Sequence, residues 1–245
     1  MNRYLLRIYI IAIAASGLFQ SCDFLNIGDI VTNEVLINDT INIIEINSMM
    51  DVTLVQDTIN KALVTCGENQ QSDIDIFLKK KILHINGSIK NSWTHDYERV
   101  KLELHLISLP QLNIRKPVSI TTIDTFKTNE LFIIDWGKYT NLNATIDANS
   151  CTIAVSADNF GHFTIKGKSV KAVFNGWGSA FIYAQHLKTQ DCTVNQRSIG
   201  DIYVNVQYNL NVSIETSGNV FYYGNPTIIK GNLFSSKKLI HLGDK

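Results

Sequence analysis

Five glycines mark the second half of this 245-residue chain at a regular interval: Gly137, Gly161, Gly178, Gly200 and Gly218, separated by 24, 17, 22 and 18 residues. Alternate glycines are more regular still, since Gly137 to Gly178 is 41 residues, Gly161 to Gly200 is 39 and Gly178 to Gly218 is 40. The repeat averages about 20 residues, a period that belongs to stacked architectures. Each glycine separates two runs that alternate apolar and polar residues, such as Cys192 and Val194 before Gly200 and Ile202, Val204 and Val206 after it. Period-two alternation buries one face of a strand, and a unit of strand, turn and strand this short cannot bury that face alone. Neighbouring units must cover one another, which predicts a β-solenoid of about five coils. Glycine is expected at the turns because a tight turn demands positive φ.

Composition agrees with sheet. The chain has 33 Ile against 11 Ala, and β-branched side chains suit a pleated surface whereas Ala suits a helix. Before Pro110 the strands read as hairpin-like: Met50 to Leu54 and Val100 to Leu106 alternate cleanly, and Ile74 to Leu78 and Ile82 to Ile85 flank Lys79-Lys80-Lys81. Those lysines are expected at a hairpin end, where they also discourage edge pairing. Twenty-four asparagines, many at strand margins, suit turns and can ladder between coils.

Residues 1–21 carry Arg3 and Arg7, no acid, and an apolar run from Ile8 to Leu18. That is the charged and apolar pair of a secretory signal, and the run is shorter than the roughly 20 apolar residues that span a bilayer. Gly17-Leu18-Phe19-Gln20-Ser21-Cys22 resembles a relaxed lipobox, so Cys22 is expected to be acylated and to open the mature protein. Residues 22–34 then form a tether, and residues 35–245 one solenoid domain. Losing Arg3 and Arg7 with the signal leaves 20 basic against 22 acidic residues, a net charge of −2. Nothing in that balance points to nucleic acid. Cys66, Cys151 and Cys192 remain, without Cys-x-x-Cys spacing, and their alternating context reads as small buried hydrophobes.

Particular phrases resemble the head GIN domain family, described as "putative auto-transporter adhesin" and common among lipoproteins of Bacteroidetes. They are Asp51-Val52-Thr53-Leu54, Leu83-His84-Ile85-Asn86-Gly87, Val100 to Leu112 and, most specifically, Gly218-Asn219-Val220-Phe221-Tyr222-Tyr223-Gly224-Asn225-Pro226. The resemblance covers roughly residues 40 to 235. Family turns usually read Gly-Ser-Gly, whereas here they read Asp135-Trp136-Gly137, Asn159-Phe160-Gly161, Gly176-Trp177-Gly178 and Ser198-Ile199-Gly200. What the resemblance implies is an all-β, right-handed parallel β-helix of the pectin-lyase-like kind, an envelope location and an adhesive role. It implies no catalytic residues.

The residues themselves offer little chemistry. Asp135, Asp147, Asp158, Asp191 and Asp201 do not fall at one phase of the repeat, so no acid ladder of a polysaccharide-cleaving solenoid is expected. Ser179 stands between Trp177 and Phe181, where a nucleophile elbow needs glycines. His84 and His105 are expected at the surface, and as metal ligands only if adjacent strands brought them into register. No cofactor motif is present, and no cofactor or metal is expected.

The turn aromatics are the sharper feature. Trp136 and Trp177 are one two-repeat period apart, each directly before a turn glycine, with Tyr139 and Phe160 near in phase. Either the rings cap the corners from inside, the simpler expectation, or they form an outward strip able to stack on sugars or anchor a protein. The candidate binding residues are therefore Trp136, Tyr139, Phe160 and Trp177. The leading expectation is a non-enzymatic, lipid-anchored envelope protein at the outer membrane, on its periplasmic or surface face, that adheres to or recognises a glycan or protein partner. A structural or accessory scaffold in envelope assembly or signalling is the alternative, and a polysaccharide-active enzyme comes third. Solenoid ends leave strand edges to which a second copy can join.

Overall fold

The computed structural model describes residues 27–87, 99–233 and 239–244. The signal segment 1–21 and Cys22 lie outside the described residues. Strands β1 (Ile30–Leu36), β2 (Ile43–Asn47), β3 (Met50–Gln56) and β4 (Lys61–Gly67) come first, and a short 3-10 helix Glu68–Asp73 leads to β5 (Ile74–Lys79) and β6 (Ile82–Gly87). Then follow β7 (Lys101–Leu106), β8 (Gln111–Ile114) and β9 (Val118–Thr122). The long strands are β10 (Phe126–Asp135), β11 (Thr140–Val155), β12 (His162–Gly178), β13 (Phe181–Ser198) and β14 (Ile202–Ile214). Short β15 (Val220–Tyr223), β16 (Ile228–Leu233) and β17 (Leu239–His241) end the series.

These strands form one continuous sheet that coils on itself. The start of β11 pairs β9 while its later part pairs β10, so a single strand bends from one face of the coil to another. Pairing is parallel from β8 onward, in about six turns. That is one more than five glycine turns announce, because the first corner is made at Arg115-Lys116-Pro117 without glycine.

Register turns the alternation into interior columns. Leu112, Ile133, Ile153, Phe174, Val194 and Val212 stack on one face, and Ile120, Leu142, Phe163, Ile182, Ile202 and Val220 on the next. All twelve are buried. Each such side chain contributes on the order of 1.5–3 kcal/mol when fully removed from water, so a coil is stable only with a neighbour above and below. Cys151 and Cys192 share a third column with Ala172 between them, and all three described cysteines are free and buried.

Two expectations are corrected here. The strands before Pro110 are more than a hairpin lead-in: β2 lies parallel between β6 and β8, and β3 lies parallel between β7 and β9. Among the described residues antiparallel pairing is confined to β1 with β4, β4 with β7, and β5 with β6, which close this end of the solenoid. β1 begins at Ile30, inside the stretch expected to be a tether. The turn glycines are also needed for another reason. Of the five, only Gly178 has positive φ (65°). A Cβ on Gly200 would stand 2.3 Å from the Ala180 carbonyl oxygen, and one on Gly218 would stand 2.2 Å from that of Gly200. At Gly137, Gly178, Gly200 and Gly218 glycine is required because successive corners touch backbone to backbone, whereas a Cβ on Gly161 would meet the Phe163 ring at 2.5 Å.

Lys79 does pair with Ile82 at a hairpin end, with Lys80 and Lys81 at φ 52° and 62°. Among the described residues no helix is long and apolar enough to cross a membrane.

Candidate binding surface

The corner before β9, and before each strand stacked on it, carries a column set by backbone hydrogen bonds. The Trp136 amide donates to the Ile114 carbonyl (2.8 Å), the Ser156 amide to that of Asp135 (2.9 Å), and the Glu215 amide to that of Gln196 (2.9 Å). Ala154 pairs Asn175 and Trp177 pairs Arg197. The outward column therefore reads Arg115, Trp136, Ser156, Trp177, Arg197, Glu215. A few residues further round, the Phe160 amide donates to the Lys138 carbonyl (2.8 Å), which seats Phe160 over Tyr139, and Ser179 and Ile199 continue that second column.

The four aromatics named from the sequence thus share one corner, and they point out. Trp136 is 38% exposed, Trp177 40%, Tyr139 46% and Phe160 61%, which corrects the simpler expectation that the rings cap the corner from inside. The tryptophans are held by cations. The Arg115 guanidinium lies 3.9 Å from the Trp136 ring centroid and 3.4 Å from Glu45 Oε1, while that of Arg197 lies 5.0 Å from the Trp177 centroid and makes two 2.8 Å bonds to Glu215. Cation and indole attract through the ring quadrupole, so each ring is oriented without being buried. The Glu215 carboxyl is held below its ordinary value, chiefly by Arg197.

Beneath the strip the corner is polar. Asp135, fully buried, accepts at Oδ1 from the Gly137 amide (2.7 Å). Burial raises its carboxyl, more than the Gly137 bond and the nearby Thr140 and Asn159 lower it. Oδ2 and the side-chain oxygens of Thr140 and Asn159 lack a well-formed hydrogen bond.

The remaining sequence candidates do not assemble. Asp147 faces Lys168 (3.1 Å), Asp191 accepts from Asn209 (2.6 Å), Asp201 caps the Asn219 amide (2.8 Å) and Asp158 accepts from Ser156 Oγ (3.2 Å). Ser179 sits in the corner beside Phe160. His84 stacks on Phe77 and meets Glu45 at 3.2 Å, whereas His105 bridges Asp57 and Glu103, 2.6 Å from each. The two carboxylates sit on opposite ring nitrogens and cannot share one ion, and the two histidines are not brought together. No group of three or more His, Cys, Asp or Glu that could hold a metal ion occurs among the described residues.

A cavity of about 670 Å³ lies at the far end of β3, lined by Leu36, Ile37, Asp39, Ile41, Ile59 and Ile107 among others. It has the volume of a ligand site. Yet among the described residues its one carboxylate, Asp39, is taken by the Thr40 amide (2.6 Å), and no aromatic or histidine lines it.

One surface escaped the sequence reading. On the face that follows the corner, Phe181, Tyr183, Tyr203 and Phe221 stack outward, with centroids 6.3, 5.6 and 4.6 Å apart and His162 leaning on Phe181 at 5.2 Å. The signal was there: Tyr203 and Phe221 each stand three residues after a turn glycine. Burial in this stack raises the Tyr203 hydroxyl.

Fold and corner together define a class, a β-solenoid whose coils hold an outward strip of aromatic side chains. The chain belongs to the family described as "Putative auto-transporter adhesin, head GIN domain", which residues 41–226 match. Solved structures share the fold. A "putative adhesin" from Bacteroides fragilis NCTC 9343 superposes with a TM-score of 0.76 at 16% identity, over 89% of this chain and 97% of that one. A "putative adhesin" from Parabacteroides distasonis ATCC 8503 gives 0.66 at 16%, over 88% and 98%. A "putative lipid binding protein" from the same organism gives 0.64 at 20%, over 88% and 97%. No curated protein matches the chain. At these identities the likeness establishes architecture, and a ligand must be argued from the surface.

Proposed function

We propose that this protein is a non-enzymatic adhesin of the cell envelope, anchored to the outer membrane by acylation of Cys22, that recognises a polymer or protein partner with the strip Trp136, Tyr139, Phe160 and Trp177. The observation that carries this is the exposure of two tryptophans on one rigid corner, each braced by its own arginine and glutamate. Large apolar rings left in water cost solubility, and rigid aromatics give contact area with little rotamer entropy to lose. The family description and the neighbouring adhesins support the same reading.

The test is adherence. Fluorescently labelled wild-type domain is expected to coat intact bacterial or epithelial cells, and a Trp136→Ala/Trp177→Ala variant with an unchanged melting curve is expected to lose at least tenfold in coating. Equal coating by both would remove the strip from the function and favour a scaffold role. Acylation is checked by mass spectrometry of membrane-derived protein, where an unmodified Cys22 would reject the anchor.

A further inference from the structure

The outward corner column is symmetric about its middle: Arg115, Trp136, Ser156, Trp177, Arg197. Both arginines sit on the outer sides, so each guanidinium covers the face of an indole turned away from Ser156. The two remaining ring faces look toward each other across the rung of Ser156, whose side chain is too small to fill the space. Neighbouring rungs are about 4.8 Å apart, so the backbones that carry the two indoles are about 9.6 Å apart. At the floor, the Ser156 hydroxyl bonds the exposed Asp158 carboxylate at 3.2 Å. Glu45 and Glu215 neutralise the two arginines.

These dimensions select the occupant. A flat aromatic between two rings needs two contacts of about 3.5–4.0 Å, about 7–8 Å in all, and would rattle in this gap. A pyranose chair is thicker, offers C–H groups on both faces and carries its hydroxyls around the rim, where Ser156 Oγ and Asp158 can meet them. Asp158 repels an acidic sugar at the floor, and the two arginines beside the indoles are already paired with glutamates. The Phe181 to Phe221 ladder offers nothing similar, because its rings spend their faces on one another.

We infer that Trp136 and Trp177 form a clamp for a single pyranose ring of a neutral glycan, with Ser156 and Asp158 as its polar floor. This rests on the corner being the binding surface, and names the ligand class.

The experiment uses the mature chain carrying Trp93→Phe, so that indole fluorescence reports Trp136 and Trp177 only. Maltohexaose, cellohexaose, mannohexaose and, as the acidic counterpart, oligogalacturonate are titrated against it. At least one neutral oligomer is expected to change the emission saturably, and oligogalacturonate to bind at least tenfold more weakly. Ser156→Leu, which fills the notch while sparing both indoles, is expected to weaken binding more than tenfold, and Tyr208→Ala, at an exposed aromatic outside the strip, less than threefold. Binding of none of the neutral oligomers, preference for the acidic one, or an unchanged Ser156→Leu affinity would each overturn the clamp. The cell-coating assay separates this from failure of the strip itself: coating lost in Trp136→Ala/Trp177→Ala but kept in Ser156→Leu leaves a binding strip without a sugar clamp.

Discussion

Asp135 and Gln196 occupy the same interior column three rungs apart, and each caps the amide two residues on: Asp135 Oδ1 accepts from Gly137 and Gln196 Oε1 from Ser198 at 3.0 Å. The same corner is thus held once by a titratable group and once by a neutral one. Gln196 is also bonded through Nε2 to the Gly200 carbonyl (2.6 Å), whereas Asp135 leaves Oδ2 without a good partner.

Burial raises the Asp135 carboxyl above its ordinary 3.8. The unfolded chain then releases this proton at lower pH than the folded chain does. Stability from this residue is accordingly highest below the ordinary value and declines as pH rises toward the raised folded value. Asp135→Asn keeps the Oδ1 acceptor and does not titrate. Its melting temperature is expected to exceed that of the wild type by a margin that widens from about pH 4 to neutrality. A margin independent of pH would contradict the assignment.

The corner contacts predict a sharp contrast between glycines. Gly200→Ala drives a Cβ into the Ala180 carbonyl, and overpacking of this kind costs about 2–3 kcal/mol. Gly231→Ala meets nothing closer than the Val212 oxygen at 3.7 Å and is expected to change stability little. Urea unfolding of the two variants gives the comparison.

At the β5–β6 turn, Lys80 and Lys81 both hold positive φ, the conformation for which Asn-Gly is preferred. Lys80→Asn with Lys81→Gly is expected to stabilise the chain by about 1 kcal/mol. A urea midpoint that rises with an unchanged slope is the signature.

Arg197 orients Trp177 from the surface. In a chain retaining only Trp177, Arg197→Ala is expected to increase acrylamide quenching with little change in melting temperature. Unaltered quenching would mean that the indole is placed by the backbone alone.

The cysteines should be silent. Desolvation pushes Cys151 up to about 12 and Cys192 higher still, and the thiolate is the reactive form. A maleimide is expected to label the three described cysteines only when the chain is unfolded, and fast labelling of the native protein would be inconsistent with the buried columns.

Much of this was legible in sequence because the solenoid is periodic. The glycine interval gave the coil length, alternation at Ile202, Val204 and Val206 gave the inward face, and the 41-residue gap placed Trp136 and Trp177 on one edge. Which way the indoles turn was not legible, since it depends on Arg115 and Arg197, which only register brings beside them. The need for glycine was misread for a related reason: the clash at Gly200 is with Ala180, a whole coil away. Nor does alternation reveal that Ile43 pairs both Ile82 and Gln111, because period two fixes a strand's face and is silent about its neighbours.

That last arrangement bears on how such a chain can change over generations. The coil laid down first, β2 with β3, is completed from both sides by segments that come later in the chain, so a cut or insertion between Ile43 and Thr122 disturbs three rungs at once. Beyond β9 each coil contacts only its predecessor and successor, and a duplicated 20-residue segment has a ready template. The closed end is consequently fixed in length while the other is free to lengthen, and with it the corner can gain or lose outward side chains one coil at a time.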